Sequence, residues 1–385
     1  MSLTSRERLL AAIDGEEADH VPFVPSFIGP WVAEYWKSEK ERMEEMLRLG
    51  LDQFVSLEAP SRFHPDVKVR LWKEHHPGEK YPLLFKVYET PAGDLRQVAV
   101  QTEDWPHGDD IPVFSDFVVA GGRSREHLIK GPKDLERFQY LMLEPSQEQI
   151  GKFHEEARSI KAFADKQGLL VNAEGGFGGT YLPSICGMHN LLLWILKFPD
   201  FVKGLLEIVH EWDLRRVRLA LGEDPDMVTR DGWYESPVFW SVKGFKKFIE
   251  PLVQEEIELV HQSRKKFRYV MATGNMLIAD ILRKMNVDVL FGIDPVIEET
   301  SPEGIRKRLG DKMCLWGGIS EAVTLQQGST EEVRRAVADA IKAFAPGGGF
   351  IMSTVGSILQ REGWRRKGPI LIETWHKFGK YPIRG

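Results

Sequence analysis

The chain has 385 residues, 42% hydrophobic and 28% charged, which is typical of a globular protein with a large buried core. The net charge of −6 comes from interspersed acidic and basic residues, so no surface for nucleic acid is predicted. The two cysteines, Cys186 and Cys314, cannot form a disulfide framework. No apolar run is long enough to span a bilayer. We therefore expect a cytoplasmic protein with neither nucleic-acid nor membrane partners.

Apolar and amphipathic segments alternate along most of the chain. Thr4 and Glu7 form a capping-box pattern that predicts a first helix, which Gly15 ends. Eight apolar runs are predicted strands, at 21–26, 53–58, 169–173, 227–230, 268–272, 287–293, 312–316 and 349–353. The later strands follow helical patterns at 150–166, 199–221, 242–266, 277–285 and 330–344. This alternation is typical of buried parallel strands with right-handed crossovers, and eight strands favour a closed barrel over a doubly wound open sheet.

The rhythm changes from about residue 66 to residue 119. Three segments in this stretch alternate like strands, at 67–72, 83–89 and 95–102, and Pro91-Ala-Gly93 forms a turn between the last two. We interpret the stretch as a β-hairpin excursion after the second strand. The predicted fold is α/β, a single (β/α)8 TIM-type barrel over residues 1–385 with this insertion.

Several segments contain short sequence motifs, and these motifs occur in a fixed order along the chain. They lie at 4–15, at 19–22 (Asp-His-Val-Pro), at 88–93, at 129–135, at 231 with 236–237 and 245–251, and at 316–319 with 328–333 and 348–351. Together they resemble the uroporphyrinogen-decarboxylase-like superfamily, and 88–93 and 129–135 resemble its methyltransferase-like members. The resemblance implies a barrel that performs its chemistry at the carboxyl ends of the strands.

The first departure from that family concerns arginine. True uroporphyrinogen decarboxylases carry an arginine-rich segment after the first strand, which holds the many carboxylates of their substrate. The corresponding stretch here, 23–36, contains no arginine. It would neutralise an octa-anionic substrate poorly, so the porphyrinogen reaction is disfavoured, and we expect an aromatic-lined mouth in place of a basic one.

The second departure concerns zinc. The thiol-methylating branch of the family carries His-x-Cys after a later strand and another Cys after the last one. Here Met271-Ala-Thr273 and Thr354-Val-Gly356 stand at those places. Zinc keeps an acceptor thiol as thiolate, so without these ligands we expect no zinc and no thiol acceptor. The reaction that the resemblance still implies is demethylation of a donor by the Co(I) corrinoid of a partner protein.

Three carboxylates end predicted strands: Glu58, Glu174 and Asp231. Isolated acids at strand ends are often caps or ion pairs, but three at one mouth indicate acid–base chemistry. A partly desolvated carboxyl could keep its proton near neutrality and donate it to a departing phenolate. With the phenol of Tyr234 on the loop after Asp231, these are the predicted catalytic residues.

Aromatic residues near the mouth predict a pocket for a flat apolar ligand. The loop Asp231-Gly-Trp-Tyr-Glu235 carries an indole and a phenol beside two carboxylates. The alternative is that Trp233 and Phe239 only pack the loop down. The predicted substrate-binding residues are Phe27, Trp31, Trp233, Phe239, Asn275, Asp294 and Ser353.

The segment Glu174-Gly-Gly-Phe-Gly-Gly179 is a glycine-rich turn without dinucleotide spacing or a P-loop lysine. We interpret it as a close approach of backbone to a ligand or to the next helix. No metal site is predicted, although Glu174, His189 and His210 leave a nonstandard one open. Cys186 and Cys314 are interpreted as buried small hydrophobes.

These observations favour a methyltransferase. Its predicted donor is a small methylated aromatic, first an aryl methyl ether, and its acceptor is the corrinoid (cobalamin) of a partner corrinoid protein. A decarboxylase acting on a less acidic substrate is the first alternative. A non-catalytic barrel that binds a corrinoid or another ligand is the second. A homodimer is compatible with the sequence.

Overall fold

The elements follow the predicted α/β alternation, in a computed structural model that describes residues 3–27, 30–119, 122–358 and 361–383. The strands are β1 (Phe54–Glu58), β2 (Lys68–Glu74), β3 (Leu83–Thr90), β4 (Gly93–Val100), β5 (Ser124–Glu126), β6 (Leu170–Glu174), β7 (Met227–Asp231), β8 (Lys266–Val270), β9 (Val289–Ile293), β10 (Cys314–Ser320) and β11 (Phe350–Val355). The helices are α1 (Ser5–Ile13), α2 (Pro30–Tyr35), α3 (Glu39–Arg48), α4 (Asp116–Val119), α5 (Asp134–Gln139), α6 (Gln147–Gln167), α7 (Leu182–Cys186), α8 (Met188–Lys197), α9 (Pro199–Leu221), α10 (Pro237–Gly244), α11 (Glu250–Gln262), α12 (Ala279–Met285), α13 (Pro302–Leu309), α14 (Thr330–Phe344) and α15 (Arg361–Phe378).

Seven strands form one curled parallel sheet in the order β1-β6-β7-β8-β9-β10-β11. Residues of β10 and β11 are buried at every position, as expected for strands with helices on one face and the enclosed interior of the sheet on the other. The predicted strands 268–272 and 312–316 are displaced, because β8 begins at Lys266 and β10 at Cys314. All neighbouring pairs in this sheet are parallel, which confirms the parallel α/β prediction.

The first predicted strand, 21–26, is an extended segment and not a regular strand. It meets β11 through an isolated bridge between Phe23 and Met352, and the next residue after the segment, Phe27, forms a second bridge with Ile358, beyond the end of β11. On its other side, the Phe23 carbonyl accepts a hydrogen bond from the Asp52 N–H (2.8 Å). Two prolines in the segment lack the N–H that a regular ladder needs. The described sheet therefore has seven regular strands where eight were predicted.

Helix α1 seals the amino end of the sheet's interior. Its capping box is present, since the Glu7 carboxylate accepts from the Thr4 N–H and the Thr4 hydroxyl accepts from the Glu7 N–H. The apolar face of α1 packs on inward-facing strand residues; this layer contains Leu9, Ala12, Ile13, Leu170, Met227, Val289, Cys314, Trp316 and Ile351. With the amino end closed, the carboxyl ends of the strands are left for a functional site.

A second sheet is inserted between β1 and α5. Strands β2, β3, β4 and β5 pair antiparallel in chain order. The insertion is larger than the predicted hairpin, which was expected to end near residue 119. It forms a sheet of four strands that reaches Glu126. Strand β5 is three residues long and pairs with β4 through a register irregularity, so it leaves no alternating pattern in the sequence.

The outer helices are amphipathic. In α14, the residues Val333, Val337, Ile341 and Phe344 are buried, which is the spacing of one helical face. Among the helices within the described ranges, none combines the length and the apolar composition that crossing a membrane requires.

Candidate functional site

A cavity of about 790 Å³ lies inside the curled sheet, a size typical of small-molecule sites. It runs from the strands past segment 24–27 to the space between α3 and α6. Inward-facing residues of five strands line its inner part: Phe54, Ser56, Arg268, Val270, Phe291, Trp316 and Ser353. Phe27, Lys40, Arg42, Met43, Ile160 and Phe163 are among the residues that line its outer part.

The inner wall of the cavity is largely aromatic. The Trp316 ring meets Phe54 edge-on at 5.8 Å between centroids and Phe291 at 6.1 Å. The predicted residues Phe27 and Ser353 both line the cavity, and the Ser353 hydroxyl donates to a backbone carbonyl at 2.6 Å. Such a surface suits a flat apolar ring with few polar groups.

Arg268 is the cation of the inner cavity. Its side chain is buried, with its guanidinium carbon 5.0 Å from the Phe54 ring centre and 4.7 Å from that of Trp316. Its Nε donates to the Thr229 hydroxyl at 2.8 Å. Burial lowers the pKa of Arg268 to about 10, and the negative charges of Glu174 and Asp231 partly oppose this shift.

The expectation of an aromatic mouth without arginine took only segment 23–36 into account and missed Arg268. The signal for it was present in the sequence Lys-Phe-Arg-Tyr-Val of β8. Side chains alternate along a strand, so Arg268 and Val270 point to the same side, and both line the cavity.

Glu174 and Asp231 lie at the edge of the cavity, at the carboxyl ends of β6 and β7. Ser56 and Asn172 donate to Glu174 Oε1, at 2.7 Å and 2.9 Å. Neither acid lines the cavity itself, but Ser56 does, and so does Val270, the β8 neighbour of Asp231 in the sheet. The structure therefore places these two predicted residues together beside Arg268.

The Asp231 carboxyl group has a pKa near neutrality. Burial raises the pKa of Asp231 to about 7; a hydrogen bond from the Trp233 N–H opposes the rise, and the charge of Glu174 adds to it. A carboxyl group in this state can donate a proton at neutral pH and take one back.

The other two predicted catalytic residues are placed differently. Glu58 is exposed and lies beside Glu174 in the sheet register. The Tyr234 hydroxyl donates to Asp116 of the inserted α4, so it points toward the insertion and not into the cavity. Burial and the bond to Asp116 raise the pKa of Tyr234 above its ordinary value.

Tyr181 is a residue at the mouth that the sequence analysis missed. Its ring stacks on Phe177 at 4.2 Å and on Phe114, from the insertion, at 4.1 Å. Burial raises the pKa of Tyr181 above its ordinary value, and the charge of Asp231 adds to this. The insertion and the loop after β6 thus form an aromatic wall near Asp231.

The remaining predicted binding residues are engaged elsewhere. The N–H and side-chain amide of Asn275 donate to Glu298, at 2.9 Å and 3.2 Å. Asp294 is buried and accepts from the backbone N–H groups of the two residues at 296 and 297, so it caps its own loop. Phe239 packs edge-on against Tyr234 at 5.9 Å.

The predicted binding residues also include two tryptophans, Trp233 and Trp31. Trp233 is half-buried, and its N–H bonds Asp231, so its backbone holds the loop. The side chain of Trp31 lies outside the described part of the chain.

The glycine-rich turn after β6 is held by buried acids. The amides of Gly176, Gly178 and Gly179 donate at 2.8 Å to Glu256, Asp213 and Glu235, respectively. A Cβ at Gly178 would come within 1.8 Å of the Arg230 side chain, so the turn requires glycine there. The turn is thus packed against protein, and the amides of these three glycines are not free for a ligand.

Among the described residues, no group of three or more His, Cys, Asp or Glu side chains could hold a metal ion. At the two positions where the related branch carries zinc ligands, Met271 is fully buried and the Thr273 carbonyl accepts from the Ser236 hydroxyl at 2.7 Å. His210 is hydrogen-bonded to Glu255 at 2.9 Å.

Fold and site together define an α/β protein with a curled parallel sheet that encloses a cavity, with two acids beside it at the carboxyl ends of β6 and β7. Residues 120–361, more than half of the chain, match the family model for Uroporphyrinogen decarboxylase (URO-D). The chain therefore belongs to the uroporphyrinogen decarboxylase family, which confirms the superfamily resemblance.

Solved structures resemble this fold at low sequence identity. A methyltransferase from Methanosarcina mazei has a TM-score of 0.58 and 16% identity, over 98% of this chain and 99% of that chain. A B12-independent methionine synthase from Shewanella sp. W3-18-1 has a TM-score of 0.38 and 13% identity, over 58% of this chain and 65% of that chain. At such identities the likeness concerns the fold alone. No curated protein matches the sequence significantly.

Proposed function

We propose that this protein is a methyltransferase that moves a methyl group from an aryl methyl ether to the Co(I) corrinoid of a partner corrinoid protein. The observation that carries the proposal is the Asp231 carboxyl group, with a pKa of about 7, beside a cavity with an aromatic wall. Family membership and the fold shared with a methyltransferase support it. We expect the reaction to need no zinc and to take place in the cytoplasm.

The proposed reaction breaks the bond between the methyl carbon and the ether oxygen. The methyl group passes to the corrinoid, which supplies the nucleophile, and the bonding electron pair stays on the phenolate oxygen. Asp231 donates its proton to that oxygen, so the phenol leaves neutral, and solvent returns a proton to Asp231. Such a general acid contributes about 10²–10⁴-fold in rate.

Glu174 supports this step from the neighbouring strand end. Its carboxylate is fixed by Ser56 and Asn172, and its charge helps to raise the pKa of Asp231. We assign it a positioning role, since it favours the protonated form of the acid.

Exposed apolar side chains on the same end of the sheet support a protein partner. The segments that directly follow β7, β8, β9 and β10 expose Val238 (58%), Leu277 (61%), Val296 (46%) and Val323 (39%). We call these four residues the apolar rim. A corrinoid protein seated on these residues would lie at the end of the sheet where Asp231 is.

The experiment that tests the role of Asp231 compares the Asp231→Asn variant with wild type across ring-substituted aryl methyl ethers. We expect the variant to be slower by about 10²–10⁴-fold with poor leaving groups. The penalty should shrink as the phenol becomes more acidic, because a good leaving group needs less protonation. A penalty that is the same for every ether would show that Asp231 donates no proton.

A decarboxylase acting on a less acidic substrate is the second candidate. Arg268 favours it, because a buried cation inside the cavity could hold a substrate carboxylate. The two reactions differ in their products, since a decarboxylase releases carbon dioxide without any need for cobalt.

A further inference from the structure

In the described part of the chain, Arg268 forms no ion pair, unlike two other buried arginines near the sheet. Arg230 meets Glu235 and Glu256 at 2.6 Å each, and Arg8 is paired with Asp19 and Asp52. Among the described residues, Arg268 donates one hydrogen bond, from its Nε to the Thr229 hydroxyl, and Arg268 forms no ion pair. A buried charge is costly unless it is paired, so the two terminal nitrogens of Arg268 are open to an anion.

The neighbouring acids do not take that place. Glu174 Oε1 is bound by Ser56 and Asn172, and Asp231 Oδ1 is bound by a backbone N–H. Both influence Arg268 through their charge, without direct contact. The Glu174 carboxylate and the ionised form of Asp231 at one edge also disfavour a multiply charged ligand, so a singly charged anion fits best.

The surroundings of Arg268 indicate what that anion is attached to. The guanidinium lies against the rings of both Phe54 and Trp316, which contact each other edge-on, and Phe291 extends the same wall. A planar guanidinium binds a carboxylate through two parallel hydrogen bonds, and aromatic faces accept another ring.

We infer that the cavity binds an aromatic monocarboxylate, with its carboxylate on the guanidinium of Arg268 and its ring against Phe54 and Trp316. The natural substrate class is then a methoxy-substituted benzoate. This deepens the proposed function, and it rests on that function for the methoxy group alone, since a decarboxylase would bind the same carboxylate.

The test is a calorimetric titration of the protein, without any corrinoid, with methoxybenzoates and with their uncharged methoxybenzamides. Wild type should bind at least one acid about 30-fold or more tightly than its amide, because an unpaired buried charge is expensive. Arg268→Met should lose this preference. Arg42→Met is the matched control, since Arg42 lines the outer cavity but is already paired with Glu39, and it should keep the preference.

Two results would overturn the inference: wild type that binds no acid more tightly than its amide, or Arg268→Met that keeps the preference. The first comparison needs no variant, so it stands even if Arg268→Met fails to fold. Failure of the methyl transfer would leave a measured carboxylate preference intact. Demethylation of neutral ethers without such a preference would overturn the carboxylate inference alone.

Discussion

The pKa values of Asp231 and Arg268 are shifted in opposite directions by the same cause, which is burial. Burial raises the pKa of Asp231 to about 7 and lowers that of Arg268 to about 10, because the interior solvates either charge poorly. At neutral pH the arginine stays charged, whereas the aspartate is divided between its two forms. One side chain can therefore hold an anion while the other exchanges a proton.

The raised pKa of Asp231 has a consequence for stability. An unfolded aspartate has a pKa of about 4, so the unfolded state loses this proton first as the pH rises from about 4 to about 7. Ionisation of Asp231 thus opposes folding, and the penalty is complete above about pH 7. Asp231→Asn removes this penalty. Relative to wild type, the free energy of unfolding of the variant should therefore rise by about 1–3 kcal/mol on going from pH 4 to pH 8. Urea denaturation at both pH values measures this; a difference that does not change with pH would contradict it.

Asp231 was identified from the sequence as a strand-end residue, whereas Arg268 was missed because the register of its strand was predicted two residues too late. An acid that ends an apolar run is visible in the sequence. Arg268 stands at the first position of the predicted strand 268–272, far from its carboxyl end, but in the middle of the observed strand, Lys266–Val270. A shift of two residues decides how far along the interior a side chain lies.

At the scale of elements, the turn after β6 depends on acids that are distant in sequence. Asp213, Glu235 and Glu256 lie 35, 56 and 80 residues from the glycine amides that they accept from. The glycines alone predict a turn, but only the packing of α9, β7 and α11 shows which groups hold it. The sequence therefore left open whether these amides face a ligand.

Arg230 is central to this network, since it binds both Glu235 and Glu256 in the fully buried interior. Arg230→Met should lower the free energy of unfolding by about 3–5 kcal/mol, because two carboxylates would be left buried without their cation. The matched control is Arg6→Met, which breaks the more exposed pair with Asp226 and should cost about 1 kcal/mol or less. Equal effects of the two substitutions in chemical denaturation would contradict this account.

At the scale of the molecule, the alternation of strands and helices is what the sequence predicts best. Parallel strands are buried on both faces, so they are visible as apolar runs. The cavity was not predictable in the same way, because its lining combines β1, β8, β9, β10 and β11 with α3 and α6. Its shape depends on how the segment at 21–27 packs between β11 and β1, and no local pattern shows that.

The apolar rim gives a prediction for partner binding. Leu277→Asp should weaken binding of the corrinoid protein by about tenfold or more, because the interface would bury a carboxylate without a partner, and a loss of about 1.4 kcal/mol is already tenfold in affinity. Leu49→Asp is the matched control, since Leu49 is exposed just before β1, at the opposite end of the sheet. Surface plasmon resonance with the corrinoid protein measures both. If the two variants bind equally well, the partner does not dock on the rim.

The most direct test of the proposed reaction follows the absorbance of reduced corrinoid under anaerobic conditions, with the protein and a panel of methoxybenzoates. We predict that the Co(I) band disappears only when a methyl donor is present, and that one equivalent of phenol forms for each Co(I) consumed. Release of carbon dioxide at the same rate with and without cobalt, while the Co(I) band persists, would contradict methyl transfer and establish the decarboxylase.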